Sequence, residues 1–314
     1  MKIISVQKSL EKNKMEELQR FEQHFSYPLD KSTNFRIEHG LDYSLFFRSI
    51  GQGISFLAEI DRDIVASIGL SKRRVLLPSG EITKALYIGD LKIIPEYRRG
   101  KVLWNLVNSA TEWIGDTSNA LGLVMKGTSL LPNQYTGKAG VPPFEELGKS
   151  VLYRLKSSSD HPENISWRGT QEEVTTIYEK LMKGRMGLIV ENPYLRSLAS
   201  PIWLRSPQGD ACGILEDTRK AKRLFRISDN KEIISTHLGQ FTFSSPKAGA
   251  ELIHQALHLT SKQGIPAMFL ALPQDKADEI SSLLMTNPEI TTTIGVYGNG
   301  ISKHNYWHVN SSEV

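Results

Sequence analysis

Three features of the sequence predict an α/β (α+β) fold of two domains, each a mixed, mainly antiparallel sheet flanked by helices. The first is size. At 314 residues, 39% hydrophobic and 23% charged, the composition is that of an ordinary globular chain, and the length exceeds what one compact core usually takes. The second is the stretch from Tyr87 to Ile114, which reads as a strand, a tight turn and an amphipathic helix. The third is order: beyond a polar segment near residue 160, strands and helices recur in a similar succession, a repeat of architecture without a repeat of sequence.

Taken from the start, Met1 to Val6 predicts a strand, and Met15, Leu18, Phe21 and Phe25 among charged neighbours give a helix with one apolar face. Leu41 to Ile50 predicts a short helix. Ser55 to Leu70 predicts two antiparallel strands turning near Asp61, Arg62 and Asp63, the second continuing into Lys72, Arg73 and Arg74. Pro78, Ser79 and Gly80 mark a turn. Tyr87, Ile88, Leu91, Ile93 and Ile94 then make an apolar segment of strand length that stops at Pro95, which cannot donate to a central ladder. After Gly100, the residues Leu103, Leu106, Val107, Ala110, Trp113 and Ile114 fall on one helical face. Between strand and helix, Arg98, Arg99, Gly100 and Lys101 bring cations to a helix start whose first amides lack internal partners. Such a corner suits a phosphate.

The turn Pro95-Glu96-Tyr97-Arg98-Arg99-Gly100-Lys101 resembles that of the GNAT acyl-CoA N-acyltransferases, whose fourth strand ends in a Pro-Glu-Tyr-Arg-like turn before a pyrophosphate-binding helix. The family pattern is Arg or Gln, two residues, Gly, one residue, then Gly or Ala. With Arg98 at its head, the glycine positions hold Lys101 and Leu103. With Gly100 as the first glycine, Tyr97 heads the pattern and Val102 ends it. The Arg98 register is preferred, because it puts Leu106 and Val107 where the family's helix buries its aliphatic pair. Ala120 to Met125 fits the family's fifth strand, which splays from the fourth so that a pantetheine arm pairs with strand backbone. Gly137 to Val141 resembles the turn before the family's last strand pair, to which Phe144 to Leu155 contributes.

The resemblance implies acetyl-CoA, or another acyl-CoA, as co-substrate and an amine of a small molecule or peptide as acceptor. Leu91, Lys92 and Ile93 would offer backbone to the pantetheine and the thioester carbonyl. Arg98, Arg99, Gly100, Lys101, Val102 and Leu103 would hold the phosphates. Asp90 is the candidate proton acceptor, against an ion-paired or solvated carboxylate, and Tyr135 the candidate donor to the departing thiolate, against a packing or loop-surface tyrosine.

Residues 157–162 form a polar, proline-ended linker, so the expected boundaries are 1–156 and 163–314. The second part predicts a strand at Ile165 to Arg168, a helix at Gln171 to Met182 and a hairpin-like region at Gly209 to Ile227. A strand at Ile234 to Phe243, a helix at Ala250 to Thr260, a strand at Ala267 to Leu272 and a helix at Ala277 to Leu284 follow. Thr291 to Tyr297 and His304 to Val309 are expected to close it as a strand pair. This succession resembles the tandem GNAT arrangement of mycothiol synthase-like and N-myristoyltransferase-like enzymes. In the turn from Phe243 to Gly249, Ser245 is a candidate N-cap and Pro246 takes the first helical position, so an anion would find fewer amides and no arginine. The second copy is expected to be degenerate and non-catalytic.

A formal net charge of +4 falls short of a dedicated nucleic-acid binder. The basic runs Lys72-Arg73-Arg74 and Arg219 to Arg223 are expected to be solvated faces. The single cysteine, Cys212, leaves no intrachain disulfide. His254 and His258 lack an acidic partner at motif spacing, so no metal is expected, and His304 and His308 are expected to pack. The N-terminus has no signal-peptide pattern and no run reaches membrane-spanning length, which points to a cytoplasmic protein. The rival reading is a non-catalytic GNAT-fold protein that senses acyl-CoA or serves interactions. A tRNA-dependent aminoacyl transferase fits the modest charge less well.

Overall fold

The computed structural model describes all residues except 31–32, 99, 129–130, 136–141, 161–163 and 285–286. Strand β1 (Lys2–Val6) leads into helix α1 (Lys12–Glu22), which buries Met15, Leu18 and Phe21. Strands β2 (Tyr27–Pro28) and β3 (Asn34–Glu38) and helix α2 (Leu45–Ser49) follow. The hairpin β4 (Gln52–Ile60) and β5 (Asp63–Leu76) turns through Asp61 and Arg62, both at positive φ, the backbone a tight two-residue hairpin requires. Next come β6 (Ile82–Ile93), α3 (Val102–Ile114), β7 (Ala120–Met125) and β8 (Glu145–Lys156).

The second part opens with α4 (Gln171–Leu181), started by a reciprocal cap between Thr170 and Glu173, then β9 (Met186–Leu188) and α5 (Pro193–Arg196). Strands β10 (Ile202–Arg205), β11 (Ala211–Glu216), β12 (Arg223–Arg226) and β13 (Thr236–Phe243) come before α6 (Pro246–Lys262). The described elements end with β14 (Ala267–Pro273), α7 (Gln274–Leu283), β15 (Ile290–Asn299) and the two-residue β16 (Trp307–His308).

The main strands form one continuous sheet in the order β1-β4-β5-β6-β7-β15-β8-β14-β13-β11-β10, mainly antiparallel, with parallel contacts at β6/β7 and β13/β14. Its centre is a reciprocal exchange. Strand β15, from the end of the chain, lies between β7 and β8, while β8 lies between β15 and β14. Each part thus lends a strand to the other, and the largest core joins Phe47, Tyr87 and Leu121 to Phe269, Ile294 and Trp307. A small sheet, β12-β3-β2, also joins the two parts.

The C-terminal segment is fixed by buried charge. Glu313 pairs with Arg73 at 2.5 Å and Arg196 at 3.3 Å, Arg196 grips Glu216 through two bonds, and all four side chains are fully buried. Tyr87 donates its hydroxyl to the Glu313 carbonyl at 2.6 Å.

Several expectations change. Ile165–Trp167 is a 3₁₀ turn, not a strand, because the Asn164 side chain accepts the Ser166 amide and winds the backbone. In the region 209–227 only β11 enters the main sheet, as β12 leaves to pair with β3. The expected closing strand at 304–309 shrinks to β16, which pairs with β9 instead of β15. Neither basic run is a simple solvated face, since Arg73 and Lys222 are buried. Among the described residues, no helix is long and apolar enough to cross a membrane.

Candidate active site

Strands β6 and β7 pair in parallel only at Leu86 with Ala120 and Tyr87 with Leu121. They are still close at Gly122, where an added Cβ would stand 2.9 Å from the Ile88 carbonyl oxygen. Beyond it β7 keeps β15 as its partner and β6 keeps β5, so the two strands part. Just past the parting, β6 bulges. Ser67 is opposite Lys92 and Gly69 opposite Gly89, which leaves Asp90 and Leu91 facing the single residue Ile68. Asp90 adopts φ +50°, a left-handed backbone that a non-glycine residue holds only when its surroundings fix it.

Those surroundings are a buried ionic cluster. The Asp90 carboxylate lies 3.1 Å from Lys92 Nζ and 3.0 Å from His39 Nε2, and it accepts a hydrogen bond from the Tyr43 hydroxyl at 3.3 Å. His39 Nδ1 is 2.6 Å from Glu22 at the end of α1. Ser67 donates to the Asp90 carbonyl at 2.9 Å, which pins the bulge from the neighbouring strand. Burial alone would raise the Asp90 carboxyl, but the charges of Lys92 and His39 outweigh it and hold the group at about 2. Lys92, whose burial favours the neutral amine, is nevertheless kept well above its ordinary value, chiefly by Asp90. Burial also pushes the Tyr27 hydroxyl beside Lys92 up to about 12.

Below the bulge, Pro95–Tyr97 makes one 3₁₀ turn and α3 begins after Lys101, with no side chain capping its first amides. Arg98 bends back so that its Nε donates to the Ile93 carbonyl at 3.1 Å. Gly100 is exposed, and an added Cβ there would meet only the Tyr97 carbonyl oxygen, at 3.8 Å. Val102, Leu106 and Ala110 form the buried face of α3, with Leu103 and Val107 partly buried beside it. Lys101 and Arg98, both exposed, thus flank an uncapped helix start. Arg99 lies outside the described residues, as does the side chain of Tyr135, whose backbone closes a 3₁₀ turn at Pro132–Tyr135.

The second part repeats the bulge but not the corner. In β13, Gln240 and Phe241 face the single residue Gly213, and Gln240 has φ +44°. Its amide is tied to Asn310 Oδ1 at 2.7 Å. Helix α6 starts at Pro246, with Ser245 accepting the Ala248 amide at 3.3 Å, so its first turn is occupied by its own residues.

Near the Asp90 cluster, on the side of the small sheet, lies a cavity of about 20 Å³. Met125 at the end of β7 and Phe269 line it, with Lys222, His237, Ser311 and Val314 supplying its polar groups. Lys222 donates to the Val314 carbonyl oxygen at 2.6 Å and lies over the Phe46 ring. Its amine is lowered to about 8 by burial, against the pull of Asp90. Ser311 donates to the Phe269 carbonyl, so His237 Nδ1, 3.2 Å from the Ser311 oxygen, is the donor of that pair. Burial, with Lys222 and Arg196 nearby, lowers His237 to about 3, and the ring is neutral.

The structure thus brings Asp90, Leu91, Lys92 and Ile93 to the parting of β6 and β7, and Arg98, Gly100, Lys101, Val102 and Leu103 to the turn beneath it. Sequence reasoning missed Glu22, His39 and Tyr43, which have no motif, and Lys222, hidden in a basic run. It also passed over the two bulges, each of which follows a glycine, at Gly89-Asp90-Leu91 and Gly239-Gln240-Phe241.

No family model matches the chain, and comparison with curated proteins gives no match. Among solved structures, N-myristoyltransferase of Saccharomyces cerevisiae with bound myristoyl-CoA is similar over 99% of this chain and 81% of its own, with a TM-score of 0.62 and 12% identity. The same enzyme with myristoyl-CoA and inhibitors gives 0.64 over 100% and 83%, again at 12% identity. The chain thus shares the fold of these N-myristoyltransferase structures, a large, mainly antiparallel sheet flanked by helices.

Proposed function

We propose that the chain is an acyl-CoA-dependent N-acyltransferase, moving an acetyl or other acyl group from a CoA thioester to an amine of a small molecule or peptide. The observation that carries this reading is the parting of β6 and β7 at a fixed bulge, directly above an uncapped helix start flanked by exposed cations. The similar solved structures hold myristoyl-CoA in this fold, which supports an acyl-CoA here. In this reading the backbone of Leu91 to Ile93 receives the pantetheine and polarises the thioester carbonyl. Arg98, Arg99, Gly100, Lys101, Val102 and Leu103 meet the phosphates.

Transfer forms a C–N bond and breaks a C–S bond; the amine loses one proton and the departing sulfur gains one. Tyr135 is the proposed donor to sulfur. Asp90 was expected to take the amine's proton, but a carboxylate held at about 2 and bonded to Lys92, His39 and Tyr43 is a feeble base. We assign it instead to fixing the bulge from which the carbonyl is polarised. Residues 163–314 are proposed to bind no CoA and to wall the acceptor site, since Ser245 and Pro246 occupy the anion's place at α6. The one cysteine fits a reducing, cytoplasmic setting.

The same saturated Asp90 favours one other reading, a protein that binds acyl-CoA without turnover. Thiol release measured with thioesters of increasing chain length over a panel of amines separates the two. Amine-dependent release supports transfer, and tight thioester binding with no release under any amine supports sensing.

A further inference from the structure

We infer that the chain carries a second anion site, a cleft of about 440 Å³ in the edge of β5, that takes a small ligand of the phosphate class. It is independent of the proposed acyl transfer. Strand β4 begins at Gln52, opposite Lys72, and β9 pairs with β5 only at Val75 and Leu76. The two edge partners leave a notch beside Arg73 and Arg74, with Gly51 and Gln52 on one wall and Glu191 and Asn192 on the other.

Charge distinguishes this notch from an ordinary gap. Lys72 and Arg74 lie two residues apart on one face of β5, and Lys84 of β6 is the direct cross-strand partner of Arg74. Like charges placed opposite each other destabilise a sheet. Two carboxylates offset them in part: Glu191 lies 2.8 Å from Arg74 Nε and also accepts the Arg74 amide at 3.3 Å, and Glu179 acts on Arg74 from farther off. Three cations against two carboxylates, of which Glu191 alone lines the cleft, leave a positive surplus suited to an anion. Arg73, which also lines the cleft, sends its guanidinium to Glu313 and the Ile189 carbonyl, yet its buried Nε has no hydrogen-bond partner among the described residues. The Ser71 hydroxyl is likewise buried and unpartnered, and it lies 2.7 Å from where a side chain on Gly51 would begin. Lys72 is steadied over the Trp113 ring, 4.8 Å from its centroid. Trp113 is near the far end of α3, about 17 Å along the helix from its start, so this site and the Arg98 corner are distinct.

Calorimetric titration of the full chain with inorganic pyrophosphate tests the assignment. Binding in the cleft should weaken about tenfold or more in Lys84→Gln and in Lys72→Gln, should persist in Arg98→Ala, which weakens only pyrophosphate taken up at the start of α3, and should fall as salt is raised. Because the substitution relieves a like-charge pair, Lys84→Gln should also melt no lower than the parent. Replacing pyrophosphate by inorganic phosphate or by a hexose phosphate tells a free anion from an ester. Absence of binding at millimolar pyrophosphate would overturn the inference. So would loss of binding that follows Arg98→Ala alone, or an acidic peptide binding more tightly than every phosphate tried.

Discussion

Asp90 combines a left-handed backbone with a carboxylate bonded to Lys92, His39 and Tyr43, and these facts have one cause: the side chain holds the bulge by pairing with the buried polar groups around it. Asp90→Asn leaves Lys92 and His39 without their shared counter-charge, and should destabilise the chain by about 3–5 kcal/mol in denaturant unfolding. Because the carboxyl falls from an ordinary 3.8 to about 2 on folding, its contribution is complete above pH 4 and is lost as pH drops through 2. The variant should lack that part of the acid limb; an unchanged limb would show that the pairs contribute nothing. If Asp90 were nonetheless the base, kcat at neutral pH would fall by roughly 10²- to 10⁴-fold even in variant that remains folded. His308 adds a second acid effect. It is buried neutral at about 3, so the unfolded chain takes up its proton first and stability declines as pH falls from 6.5 towards 3. His308→Phe should flatten that decline in pH-dependent melting.

At the scale of elements, the strand-turn-helix from β6 to α3 was legible because its apolar spacing, Pro95 and the cations are local signals. The helix start in the second part was read equally well, since Ser245 and Pro246 are a local cap. What sequence did not reveal depends on distant partners. His39 gains its role only because α1 brings Glu22 and β6 brings Asp90 to it, and Arg73 only because the chain's end brings Glu313. The 3₁₀ turn at Ile165–Trp167 failed for a different reason: a short apolar run was given strand character while the Asn164 side chain wound it. The Arg73, Arg196, Glu216 and Glu313 network yields its own prediction. Glu313→Gln leaves the buried Arg73 guanidinium without its carboxylate and Arg196 with Glu216 alone, and should cost about 3–5 kcal/mol, read by urea unfolding. A loss below about 1 kcal/mol would show the network to be of little account.

For the whole molecule, strands from either side of the expected division at 157–162 are exchanged, which the sequence did not suggest. A fragment ending at residue 156 would strip β8 of both neighbours and β7 of β15, so tests belong on the full chain. The exchange also lets two halves that share a bulge differ at their helix starts. The shared sheet holds both bulges in place, while one helix start remains open and the other is closed by Ser245. Calorimetric titration of the full chain with coenzyme A decides whether one CoA binds at the β6/β7 parting. One site per chain is expected, weakened by about 1.5–3 kcal/mol in Arg98→Ala as a charge-assisted phosphate contact is lost. Two sites per chain, or no binding by the folded protein at millimolar coenzyme A, would contradict this reading.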